Sequence, residues 1–161
     1  MHRFLAFLFS FLVSFSLSAQ EFYSPKEVFN LIEFVKSDFW GKAILPNGRF
    51  VRPINWQEQN SLIIPFDEAA RIVKAAVPAS YGFFCGLDWK AYFIKFTKKE
   101  RERKVWSDRQ MAFILYLFSA SKDQALQRLN TEQVSCGEDF KRFSYKTLTQ
   151  ARLSILLKSQ S

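Results

Sequence analysis

Apolar positions recur at helical spacing along most of the chain, and the helix starts are marked by recognisable side chains. Ser24-Pro25-Lys26-Glu27 forms a capping box with proline at the first helical position, where its missing N–H costs nothing. Val28, Leu31, Ile32 and Val35 then fall on one face, which predicts a helix ending near Phe39, before Gly41. Ser107-Asp108-Arg109-Gln110 is a second capping box, and Trp106 with Met111 is its hydrophobic staple. The helix it opens, over 107–129, carries the stretch MAFILYLF, apolar on every side, which places it at the centre of a bundle. Asp88 caps a helix over 88–104, where Trp89, Tyr92, Phe93 and Phe96 follow at i, i+3, i+4 and i+7. That stripe reads as core rather than as an aromatic ligand platform. The two-residue connection to the next helix makes the pair antiparallel neighbours.

Two further helices complete the pattern. DEAARIVKAAV opens at Phe66 or Asp67 and is expected to close at Pro78 and Gly82. A last one runs from Glu138 to about Lys158 through Phe140, Phe143, Leu148, Ala151 and Ile155. Between the first two helices, Pro46-Asn47-Gly48 is a turn signal flanked by Ala43-Ile44-Leu45 and Phe50-Val51, which predicts a small hairpin. Residues 54–65 read as irregular. The expected fold is mainly α: a small bundle of about five helices with a minor β-hairpin near residues 43–51.

The beginning of the chain has a different pattern. Arg3 precedes an apolar run from Phe4 to Phe15, broken by Ser10 and Ser14, and Leu17-Ser18-Ala19 offers small residues for cleavage. That order is the pattern of a secretory signal peptide over residues 1–19. The run is shorter than the ~20 residues a membrane anchor needs. Cleavage leaves a single helical domain, 20–161, of ordinary domain size. The chain holds no Asn-x-Ser/Thr sequon, so the expected location is secreted or periplasmic in a bacterium.

Export puts Cys85 and Cys136 where thiols oxidise, and a disulfide between them is expected. The alternative is two separate thiols acting as small hydrophobes. His2 is the one histidine, and cleavage discards it, so no Cys–His pair survives and two cysteines make a poor zinc site. No metal and no cofactor is expected. Carboxylates are the remaining general bases, but Glu100 and Glu102 point apart on a helix, and Asp67 and Asp88 read as caps. No phosphate-binding glycine loop, G-x-S-x-G elbow or H-E-x-x-H motif occurs. No catalytic residue is therefore assigned.

The net charge of +8, reduced by one when Arg3 leaves, favours acidic surfaces as partners. The cations concentrate at Lys95, Lys98, Lys99, Arg101, Arg103, Lys104 and Arg109, around Glu100 and Glu102. One reading is a solvated helix end complementing the helix dipole. The sharper one is a basic knob at the tip of a helical hairpin that contacts an acidic protein or an anionic envelope polymer or lipid, with affinity falling as salt rises. Nucleic acid is disfavoured because no recognition motif accompanies the charge. The expected function is thus a non-catalytic binding or accessory protein of the cell envelope. The alternatives are a carboxylate-based envelope hydrolase and a membrane-surface protein.

Overall fold

The computed structural model describes residues 22–157, so the leader assigned to residues 1–19 lies outside the described residues. Among the described residues there are six helices: α1 (Pro25–Phe39), α2 (Trp56–Asn60), α3 (Phe66–Phe84), α4 (Trp89–Glu102), α5 (Asp108–Thr131) and α6 (Glu138–Leu157). The mainly α class follows. Both capping boxes form: Ser24 Oγ accepts from Glu27 N and Ser107 Oγ from Gln110 N, each with its reciprocal bond. Asp88 Oδ1 accepts from Ala91 N at 3.2 Å and opens α4.

The core sits around α3 and α5, which pack on each other more extensively than any other pair. α1 lies against both, and α4 and α6 pack on α3 and on each other. α5 is central because its apolar stretch buries Met111, Phe113, Ile114, Leu117 and Phe118. α3 admits close neighbours because its buried face is small: Ala69, Ala76, Ala79, Ser80 and Gly82 alternate with Ile72 and Val73. A Cβ on Gly82 would stand 3.1 Å from both Leu148 and Trp89, so this glycine permits α6 and the start of α4 to approach. The α4 aromatics are core, with Tyr92 and Phe96 buried and Phe93 and Phe96 packed on Phe118.

Four expectations need correction. The hairpin at 43–51 does not form as a pair of strands; the turn exists, with one isolated antiparallel bridge, Ile44 with Phe50, and a further bond from Gly41 N to Val51 O. Lys42 N and Ala43 N are spent on Phe39 O at the end of α1, and Pro53 has no N–H to lengthen the other arm. Two strands without further partners are marginal in any case. Residues 54–65 are not wholly irregular, because Asn55 caps α2 by accepting from Glu58 N at 2.9 Å. α3 does not stop at Pro78 but runs on to Phe84, and Asp67 is an exposed first-turn residue behind Pro65 rather than a cap. The burial gained by Ala79, Ser80 and Gly82 outweighs the loss at one proline. In the turn that Pro78 disturbs, Tyr92 Oη donates to Ala75 O at 2.7 Å. Finally, α4 ends at Glu102, with Lys104 left-handed at φ 54°, so the link to α5 is residues 103–107.

Cys85 and Cys136 are joined, with Cα atoms 5.4 Å apart and a sequence separation of 51. The bond ties the end of α3 to the segment that feeds α6. The loop it closes limits the unfolded chain, and the chain-entropy model gives about 4 kcal/mol for that length. Urea unfolding with and without reductant measures this directly. Reduction is expected to lower the unfolding free energy by about 2–4 kcal/mol; identical curves would contradict the assignment.

Candidate functional site

α4 carries two chemically different faces, and its spacing sets them. Tyr92, Phe96 and Glu100 lie four residues apart on the face turned toward the bundle, so Glu100 follows the buried stripe and is 3% exposed. A buried carboxylate needs donors, and Glu100 Oε2 has three. Arg71 Nη2 donates at 2.9 Å, Trp106 Nε1 at 3.1 Å and Arg103 Nη1 at 3.3 Å. Glu68 binds the same two arginines: Arg103 Nη2 donates to Oε1 at 2.6 Å, while Arg103 Nη1 and Arg71 Nε donate to Oε2 at 2.9 and 2.8 Å. The Arg103 guanidinium also stacks over Trp106, 5.0 Å from the ring centre. The hydrogen bonds from Arg103 and Arg71 pull the Glu68 carboxyl down from its ordinary 4.5 to about 2. The network joins α3, α4 and the link to α5.

This network divides the seven cations singled out above. Arg103 is held inside it. Lys99 Nζ donates to Ile155 O at 2.8 Å and ties α4 to α6. Arg109 pairs with Glu58 at 2.5 Å and ties α5 to α2. Lys95, Lys98, Arg101 and Lys104 remain exposed. Lys98 makes a loose exposed pair with Glu102 at 3.7 Å, a contact that holds little against solvent. Among the described residues, no ion pair occupies Lys95, Arg101 or Lys104.

Two depressions flank these groups. On the outer side of α4, an open groove of about 600 Å³ has Phe93, Ile94 and Thr97 as its floor and Lys98, Arg101, Glu102 and Lys104 along its rim. On the inner side, a cleft of about 620 Å³ between α3, α4 and α6 is lined by Arg71, Lys74, Lys99 and Arg103 over Ala75, Pro78, Tyr92, Phe96 and Ile155. Glu68 and Glu100 both face that cleft, which is the carboxylate pair a hydrolase would need. Their arrangement suits holding rather than proton transfer. Glu68 stays ionised down to about pH 2, and both carboxylates accept from Arg71 and Arg103. Among the described residues, no three His, Cys, Asp or Glu side chains converge where a metal ion could sit.

Sequence reasoning missed two buried charges. Glu100 had a signal, its position on the Tyr92–Phe96 stripe, which the charge of its neighbours masked. Lys122 had none: it is 8% exposed, with Nζ 4.9 Å from the Phe83 ring centre, 5.1 Å from that of Trp89, and paired with Asp123 at 2.5 Å.

Glu100→Ala would leave Trp106 Nε1 and two guanidinium groups without their shared acceptor. Chemical denaturation is expected to register a loss of about 3 kcal/mol, the scale for removing one partner of a buried ion pair. A change within about 0.5 kcal/mol, ordinary for a surface position, would contradict the network's role. No protein-family model, curated protein or solved structure matches the chain, so the functional reading rests on this geometry.

Proposed function

We propose that this chain is a non-catalytic binding or accessory protein of the cell envelope, secreted or periplasmic, that contacts an acidic protein or anionic envelope component through the outer face of α4. The observation that carries the reading is the division of the cations. Arg71, Arg103, Lys99 and Arg109 have partners within the fold, while Lys95, Lys98, Arg101 and Lys104 are presented to solvent, with Glu102, loosely paired to Lys98, and Asp108 as nearby carboxylates. Holding like charges together raises the local potential, which attracts anions and speeds encounter with them. The leader pattern at residues 1–19 and the Cys85–Cys136 bond support an oxidising compartment. No helix among the described residues is long and apolar enough to cross a membrane.

Arginine and lysine are divided in a chemically sensible way. The planar guanidinium of Arg103 grips Glu68 with two nitrogens and that of Arg71 bridges Glu68 and Glu100, while three of the four outward groups are the compact ammonium ions of lysine. An ammonium group on a long stem reaches a diffuse anionic surface without a fixed geometry. The proposed contact is therefore electrostatic and broad rather than a shaped pocket.

Retention on immobilised polyglutamate tests the reading. Lys98→Glu, Arg101→Glu and Lys104→Glu together are expected to move elution to markedly lower salt while the melting temperature stays within a few degrees of the parent. Unchanged elution would remove the basic face as the binding surface.

A further inference from the structure

We infer that the anionic surface met by this face is a lipid bilayer, docked by the turn at 44–50 together with the outer side of α4. The inference rests on the reading of the α4 cations as a binding surface and adds the identity of what they meet. Its starting point is the segment from Lys42 to Gln57, KAILPNGRFVRPINWQ, which carries three cations and no Asp or Glu. Within it, Ala43 and Val51 turn inward and are buried, at 6% and 0% exposure. Ile44 and Phe50 form the antiparallel bridge, and bridge partners project to the same side of the backbone. Both project outward, at 58% and 54% exposure, and Ile54 and Trp56 follow at 79% and 69%.

This apolar turn is continuous with the basic face. Arg101 lines the small depression that also holds Ile44, Leu45 and Pro46, and it equally lines the outer groove that holds Ile94, itself 65% exposed. Arg101 therefore stands between the two apolar groups, with Lys98 and Lys104 beside it and Arg49 exposed next to Phe50. Large apolar tips interleaved with cations on long stems match the boundary between headgroups and acyl chains. There the tips leave water and the cations stay at the charged layer. A single exposed apolar residue needs no explanation, whereas a connected set rimmed mostly by cations does, here with Glu102 and Asp108 as the carboxylates among them. The groove is open and shallow, and the backbone N–H groups of Gly41, Leu45, Gly48 and Val51 are satisfied within the turn. Those four groups are therefore not offered to a partner strand, and the cations beside the apolar tips complement an anionic sheet.

The test is co-sedimentation with vesicles of phosphatidylcholine alone and of phosphatidylcholine mixed with phosphatidylglycerol, at low and high salt. The full chain is expressed and purified as the host processes it, so that parent and variants share one N-terminus. The parent is expected to bind the phosphatidylglycerol vesicles, to bind neutral vesicles far less, and to release in salt. Ile44→Ser, Phe50→Ser and Ile94→Ser together should weaken vesicle binding at least tenfold while leaving polyglutamate retention and melting temperature unchanged. Arg101→Gln should weaken both kinds of binding, and loss of one cation near an anionic surface corresponds to about fivefold in partitioning. Absence of binding to phosphatidylglycerol vesicles, or binding that ignores the three serine substitutions, overturns the bilayer inference. Retention on polyglutamate in either case leaves the basic-face reading standing, and its absence as well would remove both.

Discussion

One oxygen atom, Glu100 Oε2, collects hydrogen bonds from α3, from the chain following α4 and from the indole that leads into α5. A carboxylate at 3% exposure is a liability unless it is fully paired, because desolvating an ion costs several kcal/mol. Here pairing is achieved by Arg71 and Arg103, which Glu68 then shares, so two anions and two guanidinium groups form a closed set. The geometry has to be right at four side chains at once. That requirement fixes the rotation of α4 about its axis against α3 more strictly than packing of Tyr92 and Phe96 alone would.

Once that rotation is set, the character of the outer surface follows. With Glu100 turned inward, Ile94, Lys98 and Arg101 turn outward, as positions four and three residues apart on a helix must. A dense run of positive charge in the sequence thus becomes two populations in the fold. Arg103, Lys99 and Arg109 bind a carboxylate or a helix terminus, and Lys95, Lys98, Arg101 and Lys104 face solvent. Stability and surface chemistry are linked through a single helix.

Local chemistry was legible in the sequence and long-range balance was not. Ser24, Asp88 and Ser107 bind backbone N–H groups three residues away, so the starts of α1, α4 and α5 can be read without knowing the fold. The Cys85–Cys136 bond was accessible from cysteine count and the expected oxidising compartment, with two separate thiols as the alternative that the structure removes. The course of α3 was not, because the cost of Pro78 is local while the compensation comes from Leu148 and Trp89, which pack where a side chain at Gly82 would stand. The hairpin failed for a related reason: the turn residues do turn, but to extend the pairing beyond Val51, Ala43 N is taken by Phe39 O at the end of α1 and Pro53 has no N–H. Of the candidate site, the seven cations were found by composition. Which of them are spent internally depends on Glu58, Glu68 and the α6 terminus, all more than 30 residues away in the chain.

The division of the cations is tested most directly by unfolding Arg103→Ala and Arg101→Ala side by side in urea. These residues are two positions apart and chemically identical. The account predicts that Arg103→Ala loses about 2–3 kcal/mol, because two carboxylates lose a shared donor, while Arg101→Ala stays within about 0.5 kcal/mol of the parent. Equal losses at the two positions, or the larger loss at Arg101, would contradict it.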